Sequence, residues 1–254
     1  MNNTQIDYSI YLINLDRDIN RLERARERFA SFDLSFERVS GVDGSKVDAL
    51  TRFFSQIPSR SLSDGELGCA LSHISVWQKI ASGDVDNALV LEDDAAPIRA
   101  FPLRFAELDI PEDYDLCYAN NRMIYKKSTF YKDTQKTVPV IQAMLEFNKD
   151  SKVQAAGLDG YFLSRKGARR LLDIIRQDRI IAPIDGQVMV VSLNGQDLDL
   201  LANKLARRGA TFKNVVRRRA IKDTIRAYVL TPSLVKQDDG GVSTRMQVTR
   251  GLAG

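Results

Sequence analysis

Cysteine and histidine are scarce in this sequence. Its 254 residues hold two cysteines, Cys69 and Cys117, and one histidine, His73. The cysteines lie far apart and form no CxxC, so no disulfide framework is demanded and a reducing cytoplasm is the expected compartment. No apolar run approaches the ~18 residues that span a bilayer. The opening "MNNTQIDYSIYLIN" lacks a basic stretch followed by an apolar one, so no signal peptide is expected. There is no GxxxxGK[ST], and no GxGxxG follows the first apolar segment, which leaves P-loop and dinucleotide-binding readings unsupported. Internal repeats and low-complexity tracts are absent as well. Acid is missing from residues 203–222, "NKLARRGATFKNVVRRRAIK", although the net charge of the whole chain is only +4. Such a basic block suits phosphates or an anionic membrane surface, with a plain solvated helical face as the alternative. Aromatics are not interleaved with it, so nucleic acid is not an expected partner.

What is present reads as alternating strands and helices. Residues 8–15 form a strand, and "DRDINRLERARERFASF" carries Ile19, Leu22, Ala25 and Phe29 near helical spacing. "FERVSGV" is a second strand closed by the turn pair Asp43-Gly44, completing β–α–β. Residues 45–63 are less regular. A helix then starts at Ser63, which precedes Glu66 at capping-box spacing, and stops near Gly83. Strands are expected at "ALVL", "DLCYAN" and "DGYFLS", a helix at "RKGARRLLDIIRQ", and a late strand within "IRAYVLTPSLVKQ". Residues 121–156 are polar and aperiodic and read as a long loop, the kind of element that often binds. The pattern predicts one α/β domain.

The most informative stretch is "NALVLEDDAAP", residues 87–97. A buried apolar strand runs straight into Glu92, Asp93 and Asp94. In open α/β sheets ligands collect at the carboxyl ends of strands. Three adjacent carboxylates repel one another and resist burial. A hard divalent cation removes that conflict, and Mg²⁺ or Mn²⁺ sites commonly include substrate phosphates. A solvated acidic turn is the plain alternative. Arg17 and Arg21, in the turn after the first strand, are placed to reach phosphate or ribose, or serve as helix-face charge. Together these features point to a nucleotide-diphosphate substrate.

"YLINLDRDINR", "GVDG", "GELGCALSH", "ALVLEDD", "GYFLS", "PIDGQ" and "TPSLVKQ" occur in an order that resembles glycosyltransferase family 25 over roughly residues 8–240. That family comprises lipooligosaccharide-type galactosyltransferases of bacteria and is related to collagen galactosyltransferases. The resemblance implies a single GT-A-type (Rossmann-like) α/β domain, a mixed central sheet flanked by helices, spanning residues 1–240, with a tail at 241–254. It implies a UDP-sugar donor, commonly UDP-galactose, a saccharide or glycolipid acceptor, Mn²⁺ or Mg²⁺, and inversion at the anomeric carbon. Asp94 is then the most direct metal ligand. Glu92, two residues back on the same side of an extended backbone, contacts ribose or a metal-bound water, while Asp93 points away and orients a neighbour. Asn14, Leu15, Arg17, Arg21, Asp43, Ser72 and Asp159 join Glu92 and Asp93 in the nucleotide-sugar site, and Glu66 is a further candidate for its lining. Asp185 of "PIDGQ" is the expected base, with an N-cap as its structural alternative and Asp159 as the runner-up. His73 is expected to be packed and hydrogen-bonded, and Cys69 a small core residue. Where related enzymes carry a C-terminal histidine ligand this sequence has none, and Gln237 stands nearby. A phosphohydrolase or nucleotidyltransferase and a non-catalytic sugar-binding module are the competing classes. The single histidine argues against the former, and the presence of both the acidic triplet and Asp185 against the latter. The expected location is cytoplasmic, with peripheral contact at the inner face of the membrane through the basic block.

Overall fold

The computed structural model describes residues 8–54, 61–120, 122, 136–146, 157–197, 200–201 and 224–238. The chain opens with strand β1 (Ser9–Leu15), helix α1 (Ile19–Ala30) and strand β2 (Glu37–Gly41). Leu22, Ala25 and Phe29 are the buried stripe of α1, as their spacing predicts. A 3-10 turn at Gly44–Lys46 and helix α2 (Ala49–Phe54) occupy the stretch that reads as irregular. Helix α3 (Asp64–Ser82) begins with the full reciprocal box between Ser63 and Glu66 and ends at Gly83.

Strand β3 (Asn87–Glu92) is the apolar run before the acids. It is followed by strand β4 (Ala95–Pro97), helix α4 (Phe101–Ala106) and strand β5 (Leu116–Tyr118). The expected long loop at 121–156 is not structureless. It contains strand β6 (Lys136–Pro139) and helix α5 (Val140–Glu146), whose Val138, Val140, Ala143 and Met144 are buried. This apolar segment is too short to show a period against its polar flanks. β6 lies at the edge of the sheet, where Pro139 is tolerated. Strand β7 (Gly160–Ser164), helix α6 (Arg165–Asp178) and helix α7 (Ile184–Val191) follow. The expected late strand is two strands, β8 (Ala227–Thr231) and β9 (Val235–Gln237). The basic block at 203–222 and the expected tail lie outside the described residues.

The seven-stranded sheet runs β2-β1-β3-β7-β5-β8-β6. β2, β1 and β3 are parallel, and β7 inserts antiparallel between β3 and β5. β5 and β8 are parallel, and β6 closes the edge antiparallel to β8. The architecture is therefore α/β with a mixed central sheet flanked by helices, as expected. Side chains alternate strictly across it. Tyr11, Ile13, Val90, Tyr161 and Leu163 face one core, with Trp77 and Ile80 of α3 and Leu171 of α6. Ile10, Leu12, Leu89, Leu91 and Phe162 face the other, with Leu22 and Phe29 of α1 and Phe101 of α4. β4 and β9 form a separate antiparallel pair, with Ala95 opposite Gln237. Among the described residues no helix is long and apolar enough to cross a membrane.

Candidate active site

The carboxyl ends of β1, β2 and β3 point the same way because these strands are parallel. The first turns of α3 and α7 close the space beyond them. The result is a cleft of about 480 Å³, within the usual range for small-molecule sites. Asn14, Leu15, Arg17, Arg21, Asp43, Ser72, Glu92, Asp93, Asp94 and Asp185 all line it. Asp159 does not; it sits 1% exposed behind the wall. Glu66, bonded in the α3 box, is absent from the lining too.

The acids depart from the expected extended geometry. β3 ends at Glu92, and Asp93 and Asp94 form a turn before β4. Asp93 therefore does not point away from Asp94, because Arg21 reaches both, at 2.5 Å from Asp93 Oδ1 and 3.3 Å from Asp94 Oδ2. Asn14, buried at the end of β1, donates from Nδ2 to Asp93 Oδ2 at 2.8 Å. Burial pushes the Asp93 carboxyl up to about 6, against the pull of Arg21 and Asn14. Asp94 is also raised, first by burial and then by the nearby charge of Glu92. Gln237 Nε2 donates to Asp94 Oδ2 at 3.0 Å. Asp94 Oδ1 is buried with no hydrogen-bond partner among the described residues.

Other expected residues build the walls. Arg17 pairs with Asp43, whose carboxyl is lowered to about 2 by Ser45 and by Arg17. Ser72 Oγ accepts the Val42 amide at 2.8 Å and donates to the Gly68 carbonyl at 2.6 Å, tying α3 to the end of β2. Gly68 is required here, since a Cβ would lie 2.5 Å from the Val42 carbonyl oxygen. Asp185 is buried in the first turn of α7, where the helix dipole favours a carboxylate. It is not the N-cap; Pro183 holds that position. Cys69 packs against the core, as expected, but is not enclosed by it. It is half-buried and faces the cleft, with Sγ 3.8 Å from Glu92 Oε1.

Two residues escaped the sequence reading. Arg122 lines the cleft, donates from Nη2 to Gln237 Oε1 at 2.9 Å and pairs through Nε with Asp159 Oδ1 at 2.8 Å. Asn120 donates to Asp159 Oδ1 at 3.0 Å. Both lie within four residues of the end of β5, so the same strand-end rule that singled out the acids applies to "YANNR". Asp159 is pushed up to about 7, chiefly by burial, with Arg122 opposing the shift and Glu92 adding to it.

The donor set suits a hard cation. Crowded, desolvated carboxylates and the orphaned Asp94 Oδ1 are what a divalent ion satisfies. A mixed group lies beside it: ligand atoms of Cys69, His73 and Glu92 fall within 4.8 Å of one another.

The family model described as glycosyltransferase family 25 (LPS biosynthesis protein) matches residues 7–188. The chain belongs to glycosyltransferase family 25. Procollagen galactosyltransferase 2 of Mus musculus is similar to this family 25 chain, at 28% identity over 175 residues, which is 64% of this chain and 27% of the mouse protein. A putative glycosyltransferase of Haemophilus influenzae is 25% identical over 198 residues, 75% of this chain and 66% of that protein. The family 25 chain thus spans about a quarter of the mouse relative's length and under two thirds of the bacterial one's. Among solved structures, the galactosyltransferase LgtC in complex with donor and acceptor sugar analogues aligns over 92% of this chain and 88% of its own, at 10% identity and a TM-score of 0.41.

Proposed function

We propose that this family 25 chain is an inverting, metal-dependent GT-A-type glycosyltransferase that moves galactose from UDP-galactose to a hydroxyl of a saccharide acceptor. The observation that carries this reading is the meeting of Glu92, Asp93, Asp94 and Asp185 in one cleft with Arg17, Arg21 and Arg122. Carboxylates and guanidinium groups together suit a cation and a diphosphate. The name of the mouse relative supports galactose as the sugar, and the description of the family supports a lipooligosaccharide-type surface glycan or glycolipid as acceptor.

Asp94 and Glu92 would hold Mn²⁺ or Mg²⁺, which when bound supplies positive charge against the departing UDP. Arg17 and Arg21, at the mouth of the β1–α1 turn, contribute guanidinium donors to phosphate or ribose. Asp43 holds Arg17 in place, and Asn14 holds Asp93. Leu15 and Ser72 shape the wall around the nucleoside. The position of Asp159, paired with Arg122 behind the cleft wall, supports Asp185, which lines the cleft, as the base. The acceptor oxygen attacks the anomeric carbon as its proton passes to Asp185. The bond from that carbon to the phosphate oxygen breaks, and its electron pair leaves with UDP. The enzyme works in the cytoplasm, and the basic block at 203–222 brings it to an anionic leaflet.

Turnover of UDP-galactose with an oligosaccharide acceptor tests the reading, run with Mn²⁺ and with EDTA. Sugar transfer that needs the metal is the expected result. Undiminished transfer in EDTA rejects the metal, and UDP-galactose hydrolysis with no glycosylated acceptor favours a hydrolase.

A further inference from the structure

The chain has one histidine and one tryptophan, and both meet the same hydroxyl. His73 and Trp77 lie one turn apart on α3. Tyr161 comes from β7, opposite Val90 of β3. Trp77 Nε1 donates to Tyr161 Oη at 2.8 Å. His73 Nδ1 lies 2.9 Å from that oxygen, and His73 Nε2 lies 3.1 Å from Glu92 Oε1. All three rings are buried, none more than 1% exposed.

Counting protons gives this chain a direction. An indole N–H only donates, so Tyr161 Oη accepts from Trp77. The hydroxyl carries one proton of its own, and among the described residues its remaining partner is His73 Nδ1. That nitrogen must therefore accept. The ring proton then resides on Nε2, where it faces a carboxylate oxygen. The opposite arrangement fails. If Nε2 gave up its proton to bind a metal with Cys69 and Glu92, Nδ1 would become the donor. Tyr161 would then receive two hydrogen bonds, and its own proton would be buried with no acceptor.

We propose that Trp77, Tyr161 and His73 form a one-way hydrogen-bond relay that holds His73 as the Nε2–H tautomer and so positions the Glu92 carboxylate beside the acidic turn. His73 is a positioning residue, acting through Glu92. The relay rests on geometry alone, while its effect on the donor rests on the function proposed above. Cys69 Sγ, on the same Oε1, completes the hold on that oxygen rather than a soft-metal site.

The single histidine makes the test direct. The 254-residue chain labelled with ¹⁵N at histidine shows one pair of ring nitrogens, and the spectrum separates protonated from unprotonated types. The expected result is a protonated Nε2 and an unprotonated Nδ1, unchanged by Zn²⁺. A protonated Nδ1, or loss of the Nε2 proton to Zn²⁺, overturns the relay. Tyr161→Phe removes the middle link while Nε2 keeps its proton against Glu92, so the tautomer is expected to persist and the Nδ1 resonance to shift on losing its donor; an Nδ1 signal identical to wild type overturns the relay too. UDP titrations in Mn²⁺ read the consequence. His73→Gln keeps an N–H in the place of Nε2 and is expected to bind UDP like wild type. His73→Leu loses a hydrogen bond to a charged group and is expected to weaken UDP roughly ten- to a hundredfold. Equal affinity in the leucine and glutamine variants overturns the positioning role. Failure of the wild type to bind UDP overturns the donor reading instead, and the ring spectrum still decides the relay.

Discussion

Replacing Arg21 by glutamine removes the guanidinium that spans Asp93 and Asp94. The three side chains are only 16%, 10% and 16% exposed, so solvent screens the pairs weakly. Removing one partner of a buried ion pair costs about 3–5 kcal/mol. Asn14 still holds one Asp93 oxygen, which places the loss at the lower end, about 3 kcal/mol. In a chain of this size that lowers the melting temperature by about 6–12 °C. The deficit also depends on pH. The Asp93 carboxyl rises from 3.8 to about 6 on folding, so between these values the folded chain binds more protons than the unfolded one. Its contribution to stability is full below 3.8 and is lost as pH climbs through about 6. At about pH 5 Asp93 is mostly neutral, Arg21 has less charge to offset, and the deficit should fall to roughly half or less of its value at about pH 7.5. Thermal melts of both proteins in EDTA at the two pH values measure this. Equal melting at the higher pH, or a deficit that ignores pH, would refute the reasoning.

Asp185→Asn should leave the melting curve and UDP affinity near wild type while transfer falls by at least about two orders of magnitude. An Asp159→Asn variant made alongside should keep more activity, and the reverse pattern in initial rates would exchange their roles. Asp94→Asn should abolish turnover and weaken UDP binding only when Mn²⁺ is present, as read by calorimetry with and without EDTA. Gly68→Ala drives a Cβ to 2.5 Å from one backbone oxygen and 2.9 Å from the Gly44 nitrogen. It should cost about 1–3 kcal/mol in urea unfolding and raise the KM for the donor, because α3 must move off the turn that lines the cleft. Vesicle sedimentation across a salt series tests the basic block, with binding expected to anionic liposomes and none to neutral ones.

The parts of the fold legible in the sequence are those with a long period or a local signature. Leu22, Ala25 and Phe29 repeat down α1, Ser63 and Glu66 mark the start of α3, and "ALVL" is apolar throughout because β3 is covered on both faces. β6, β4 and β9 have three or four residues each, too few for a period, and their partners lie far away in sequence. Antiparallel insertion of β7 leaves no trace in its own five residues either. The site divides similarly. Glu92 and Asp94 follow from a rule about where strands end, whereas Asp185 comes from the family resemblance alone. The Arg122–Gln237 contact joins residues 115 positions apart, and only the packed sheet brings them together. The turn at Asp93 and Asp94 has no Gly or Pro to mark it, so three adjacent acids read equally well as a continued strand.

Pairing of β4 with β9 has a consequence for the chain during its synthesis. Gln237 reaches Asp94 across 143 positions, and the Asp238 amide donates to the Asp94 carbonyl at 2.8 Å. At about 5–20 residues per second a ribosome needs about 7–30 s to make that intervening stretch. Arg21 and Asn14 are already present when the acids emerge, so the charge is offset early. The contact that steadies Asp94 arrives last. A nascent chain therefore carries the carboxylates long before it carries the strand that aims them, and the cleft is complete only after Gln237 has left the ribosome.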